Sequence, residues 1–139
     1  MADIKVGVGA IIIADSKILL TKRVGSHASG SFGTLGGHLE FGESPTDALQ
    51  REAMEELNIE LTNIQFLSCA NLLKYNRHVI NLLFTAKIKD VNQLQIQEPD
   101  KIESFGWFEI NNLPEPLFEP VRIDLKALET GQNYFQIME

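Results

Sequence analysis

Residues 4 to 14, read as IKVGVGAIIIA, form an apolar run rich in β-branched residues, and KILLTKR (17 to 23) resumes it after the polar pair Asp15-Ser16. Two such runs joined by a two-residue polar turn predict a β-hairpin. The next stretch, VGSHASGSFGTLGG (24 to 37), is rich in glycine and serine and predicts a loop leading into a short strand. In SPTDALQREAMEEL (44 to 57) the pattern changes to helical spacing: Ser44 suits an N-cap, Pro45 the first helical position and Asp47 the positive end of the helix dipole. Strands are expected again in IQFLSCANLL (64 to 73) and HVINLLFTAKI (78 to 88), around the polar turn KYNR, and in IESFGWFEI (102 to 110). EPVRIDLKALETG (119 to 131) reads as a closing helix, with Pro120 near its start and Gly131 past its end. Strands and helices in this order predict an α+β or α/β sandwich built on a mixed sheet.

A chain of 139 residues, 44% of them hydrophobic, suits a single domain spanning 1–139. Its apolar runs are shorter than a membrane span, and no leader pattern precedes them, so neither membrane insertion nor export is expected. The single cysteine, Cys69, lies in an expected strand and reads as an inert buried thiol, which fits a reducing cytoplasm. A formal net charge of −7 argues against binding nucleic acid polymers and suits a protein that recruits cations.

That acid is concentrated. Residues 36 to 59, GGHLEFGESPTDALQREAMEELNI, hold five glutamates and one aspartate against one formal cation, Arg51. On a helix Glu52, Glu55 and Glu56 share a face, beside an apolar stripe of Leu49, Ala53 and Leu57. Their mutual repulsion costs a few tenths of a kcal/mol per pair (about 0.2–0.5), and a merely solvated face would alternate its signs. The preceding turn LGGH offers backbone carbonyls and close approach for a ligand. Oxygen donors with this much negative charge suit a hard divalent cation, Mg²⁺ or Mn²⁺, and no Cys or His spacing supports zinc.

The arrangement Gly37, five residues, Glu43, seven residues, Arg51-Glu52, two residues, Glu55-Glu56, two residues, Ile59 resembles the Nudix box. Many fixed positions at fixed spacing make the signal specific. Three positions depart from the family's habit. Asn58 replaces the usual glycine after the helix, Ala53 a bulkier aliphatic, and Leu35 the proline of a frequent LPGG. The resemblance implies an α/β/α Nudix sandwich, a mixed β-sheet between helices with a catalytic loop-helix-loop. Beyond the box, KRVGSHASGSF, GGHLEFGES, EPDKIESFGWFEINNLPEPLF and GQNYF are similar to the MutT-like branch. That branch hydrolyses nucleoside triphosphates, modified or oxidised guanine nucleotides among them, to monophosphate and pyrophosphate.

What the resemblance implies for the site is residue-specific. Glu52, Glu55 and Glu56, with a backbone oxygen at Gly36 or Gly37, hold the metal. Glu55 is a ligand or the base, and Arg51 orients Glu43 through charge-assisted hydrogen bonds. Among the acids of QEPDKIE, which are Glu98, Asp100 and Glu103, Glu98 is favoured to complete the site. Arg23, whose fork matches phosphate oxygens, and His38, beside Gly37, are expected at the substrate, whereas His27 and His78 read as structural or solvated. Trp107 reads as core. Phe118 and Glu119 are expected around the base, Glu119 either facing inward to accept two donors of a guanine or capping the last helix. A small nucleotide substrate and a homodimer follow from the resemblance. The alternatives are another diphosphate-linked substrate (ADP-ribose, a dinucleoside polyphosphate, a non-nucleotide diphosphate) and a non-catalytic nucleotide sensor, against which the intact set of glutamates argues.

Overall fold

In the computed structural model, which describes residues 3–25 and 28–139, the elements run β1 (Ile4–Ala14), β2 (Lys17–Arg23), β3 (Phe32–Gly33), β4 (Leu35–His38), α1 (Pro45–Leu57), β5 (Leu61–Lys74), β6 (Arg77–Ile88), β7 (Ile102–Glu109), α2 (Glu119–Thr130) and β8 (Tyr134–Met138). The sheet runs β3-β2-β1-β6-β5-β8, with β4 added to β1 and β7 to β2. It is mixed: β1 pairs in parallel with β6 and β5 with β8, and the remaining ladders are antiparallel.

β1 shows why its sequence is apolar on both sides. Val8, Ala10 and Ile12 point into a core under α1 with Leu49, Ala53 and Leu57, while Ile11 joins a second core under α2 with Leu83, Val121, Ala127 and Phe135. A helix on each face gives a three-layer α/β/α sandwich, and a central strand buried on both sides loses the polar alternation of an exposed sheet. Leu49, Ala53 and Leu57 are fully buried, so the small Ala53 lets α1 lie close on the sheet.

The turns follow local chemistry. Asp15-Ser16 and Tyr75-Asn76 close the two hairpins with both residues at positive φ, the geometry that matches strand twist. Ser44 caps α1 by accepting the Asp47 N–H at 3.1 Å. At the other end Asn58 is left-handed (φ 58°, ψ 37°), the conformation a glycine would adopt, and its side chain donates to the Gln93 carbonyl at 3.2 Å.

Several sequence expectations need adjustment. The loop at 24 to 37 carries two short strands, and β8 follows α2, so α2 is not the last element. Cys69 lies in β5 but is half-buried. Trp107, in contrast, packs against the α1-side core as expected, and His27 lies outside the described residues.

The left-handed cap gives a direct check. Asn58→Gly should change unfolding free energy by no more than about 1 kcal/mol, trading one exposed hydrogen bond for backbone freedom. Asn58→Val should cost about 1–3 kcal/mol, because a β-branched side chain is strained at positive φ. Urea unfolding of the two variants side by side reads the difference.

Candidate metal and phosphate site

The site is assembled around Arg51, at the middle of α1. Its Nε and Nη2 donate to the two oxygens of Glu43 at 2.8 and 2.9 Å, its Nη1 to Glu52 at 2.8 Å, and Nη2 also to the His38 carbonyl at 3.1 Å. One planar fork thereby joins the loop before the helix, the end of β4 and the helix face. Glu43 also accepts the Glu40 N–H at 2.8 Å. Its carboxyl is held down to about 2, first by the Arg51 hydrogen bonds and then by the backbone donor. Arg51 is raised in turn, mainly by Glu43 and, against the cost of its own burial, by Glu52.

Glu52 lies against β4. A Cβ on Gly37 would overlap the Glu52 carboxylate, and one on Gly36 would come within 2.8 Å of the Val8 carbonyl, so both glycines are required by space. Glu56, one turn on from Glu52, is more enclosed. Its Oε2 is buried without a hydrogen-bond partner among the described residues. Burial first, then the adjoining Glu52 and the charge of Glu98, push its carboxyl well above the usual carboxylate range. Glu55 is different: about half of its side chain is exposed, and it meets Arg51 at 3.5 Å.

Glu98 arrives by backbone pairing. The N–H groups of Gln95 and Gln97 donate to the last carbonyls of α1, those of Leu57 and Glu56, each at 3.0 Å. These are helix-end acceptors that have no partner inside the helix. The pairing sets the Glu98 charge near Glu56. Of the other two acids, Glu103 pairs with Lys22 at 3.1 Å, and the Asp100 backbone carbonyl lies against Gly25.

Arg23, at the end of β2, is half-buried with its guanidinium 4.2 Å above the Phe118 ring. Burial lowers its pKa while Glu56 raises it, so its charge lies within the field of the α1 carboxylates. His38 is exposed and contributes its carbonyl, and His78 is tied to Asn71 at 2.7 Å in β6. Glu119 does not cap α2, whose N-cap is Phe118 with no side-chain bond, and its exposed carboxylate pairs with Lys74. Together with Phe118 it lines an open cavity of about 340 Å³.

The residue that the sequence reading passed over is Asp124. It is 6% exposed on the sheet-facing side of α2, between Val121 and Ala127, and accepts a hydrogen bond of 3.4 Å from Thr34. Burial pushes its carboxyl up to about 7, with the Thr34 bond pulling the other way. The available signal was an acid at apolar helical spacing.

Among the described residues no three acidic, histidine or cysteine side chains form a closed metal cage. The donor chemistry nonetheless fits a hard cation. The Glu52 and Glu56 carboxylates crowd together, one oxygen is orphaned, and glycines leave room at their side.

Comparison with known proteins agrees with this geometry. The family model described as NUDIX domain matches residues 3–128. The ADP-ribose pyrophosphatase of Methanocaldococcus jannaschii is 32% identical over 120 residues, covering 85% of this chain and 69% of that protein. The NAD-capped RNA hydrolase NudC of Pseudomonas putida is 32% identical over 104 residues, 75% of this chain, which spans only 36% of that protein. Among solved structures, a MutT NUDIX hydrolase from Burkholderia pseudomallei superimposes with a TM-score of 0.84 at 32% identity, over 91% of this chain and 98% of that one.

Two outcomes follow from the site's geometry. Gly37→Ala should displace the Glu52 carboxylate and weaken Mn²⁺ binding by about tenfold or more, with far-UV dichroism unchanged; paramagnetic titration measures it. Asp124 holds its proton in the folded chain between its ordinary 3.8 and about 7, where the unfolded chain has released it. Its contribution to stability is therefore present below 3.8 and lost as pH rises through 7. Asp124→Asn should raise the melting temperature at pH 8 by roughly 3 °C or more and by little at pH 4, in melts run at both values.

Proposed function

The chain belongs to the Nudix family, and from that premise we propose that it hydrolyses nucleoside triphosphates, modified or oxidised guanine nucleotides among them, to nucleoside monophosphate and pyrophosphate. It is a hydrolase of phosphoanhydride bonds in diphosphate-containing substrates, a family that works with divalent metal. The observation that carries the proposal is the orphaned, buried oxygen of Glu56 beside Glu52 and the Gly37 hollow. The choice of triphosphate leans on the MutT hydrolase, which this chain spans almost end to end at 32% identity.

In this mechanism Glu52, Glu56 and Glu55, with the Gly36 carbonyl, would hold Mg²⁺ or Mn²⁺. When bound, the ion neutralises phosphate charge and makes water a better nucleophile. The protein supplies the rest. Arg51 fixes Glu52 and Glu43 so that the helix face does not rearrange during turnover, and Arg23 offers its fork to the phosphates. Glu98, brought to the helix end by the Gln95 and Gln97 backbone bonds, or Glu55, takes the proton of the attacking water. A new P–O bond forms at the inner phosphate, the bridging P–O bond breaks, and pyrophosphate leaves.

One further substrate class is favoured by a specific relative: the Methanocaldococcus protein bears the name ADP-ribose pyrophosphatase, and its likeness covers 85% of this chain. The proposal also includes a single domain over 1–139 and a homodimer in the cytoplasm. Among the described residues no helix is long and apolar enough to cross a membrane.

A substrate panel of nucleoside triphosphates, ADP-ribose and dinucleoside polyphosphates with Mg²⁺, products separated by ion exchange, decides between these. Monophosphate with pyrophosphate is expected from triphosphates, and excess chelator should abolish it. Glu56→Gln should lower kcat by about 10²–10³. Full turnover in chelator, or ADP-ribose as the sole substrate cleaved, overturns the proposal.

A further inference from the structure

α1 covers only part of its own side of the sheet. Val8, Ala10, Ile12, Phe84 and Ala86 are buried in the core beneath it, whereas the residues that continue this side toward the other end of the strands are not. Alternation carries the side from Val8 to Val6 and Ile4 in β1, and from Phe84 to Leu82, Ile80 and His78 in β6. Register adds Cys69, Asn71 and Leu73 of β5, opposite Leu82, Ile80 and His78. β8 then brings Tyr134, Gln136 and Met138 alongside those three β5 residues. Val6, Ile80 and Leu73 stay half-buried although strands flank them, and Ile4, Tyr134 and Met138 are 60%, 50% and 54% exposed. Sheet positions with a helix above them are fully buried in this protein, so this end of the face is open.

The chemistry of the face sets it apart from the rest of an acidic molecule. None of these positions holds Asp, Glu, Lys or Arg. The cations of the same strands, Lys5, Lys74 and Arg77, take the alternate positions, and Lys74 accordingly reaches Glu119 of α2 on the other side. The polar groups that do lie on the face are engaged with one another. His78 Nε2 lies 2.7 Å from Asn71 Oδ1, Asn71 Nδ2 donates to Met138 Sδ at 3.2 Å, and the Tyr134 hydroxyl donates to Gln136 at 3.0 Å. A surface whose hydrogen bonds are closed internally loses little when water is removed from it.

We propose that this open face of β1, β6, β5 and β8 is where a second copy of the chain docks, sheet against sheet across a two-fold axis. This rests on the homodimer reading above and deepens it by naming the surface. Two chains of net charge −7 repel over most of their surfaces, and an uncharged face is where they can meet without that cost. An oppositely charged partner finds nothing to hold there, whereas a two-fold axis brings the same uncharged surface to both sides of the contact. Four strands about 4.8 Å apart and three rows about 6.6 Å apart give roughly 400 Å² in projection. That is about half of the ~800 Å² that each partner brings to a standard interface. With its rim the face suffices for a small dimer that dissociates in the micromolar range.

Sedimentation velocity of the whole chain from about 1 to about 200 µM reads the association directly. The wild type should pass from monomer to dimer within that range. Ile4→Glu combined with Met138→Glu charges the face through side chains that are already exposed, so each copy keeps its fold, which thermal melts check. The dissociation constant should rise at least about a hundredfold. Val91→Glu and Ile110→Glu, which charge exposed apolar residues away from this face, should leave it within about twofold. A wild type that stays monomeric throughout gives the face to some other occupant and overturns both this surface and the homodimer reading. A dimer that persists in the cooperatively melting double variant, or one that Val91→Glu dissociates equally well, overturns the surface and leaves the homodimer reading standing.

Discussion

The crowding of Glu52 and Glu56 is the constraint around which the rest of this protein is arranged. Two carboxylates that adjoin in a poorly hydrated place repel each other, and neither can be hydrated fully. The fold contains this repulsion. Arg51 draws Glu52 to one side, the full burial of Leu49, Ala53 and Leu57 presses the helix down on the sheet, and Gly37 gives the displaced carboxylate somewhere to lie. Removing any one support lets the pair move apart.

The same logic, a polar group held in an apolar setting at a cost, appears on the opposite face of the sheet with Asp124. The two faces hold their acids differently. The α1 side carries the adjoining Glu52 and Glu56, whereas the α2 side carries, among the described residues, the single buried acid Asp124. The segment from Thr34 into β4 touches both, since Thr34 meets Asp124 of α2, Leu35 packs in the core under α1, and Gly37 lies against Glu52.

How much of this was legible in the sequence depends on range. Ser44, Pro45, Asn58 and the Asp15-Ser16 turn act within a few residues, so their effects could be read directly, and α1 and the first hairpin appear where expected. The carboxylate face of α1 was legible for the same reason. Pairings between distant segments were not: nothing local in LGGH says that it runs antiparallel to β1, nor that YFQIM adds beside β5. Asp124 was invisible because an acid at a core-facing position looks like a break in the apolar stripe until Thr34, ninety positions away, is seen opposite it. Glu119 was singled out by the family resemblance, and its pairing with Lys74, forty-five positions away, could not be read locally.

The backbone bonds from Gln95 and Gln97 to the end of α1 carry a consequence for how this protein can diverge. Main-chain donors hold the segment that delivers Glu98, and the side chains of Gln95 and Gln97 are exposed. Nearly any residue except proline could stand at either position and still donate its N–H. The segment can therefore drift in sequence while its acid stays in place, so mutational tolerance here is wide at 95 and 97 and should narrow abruptly at 98.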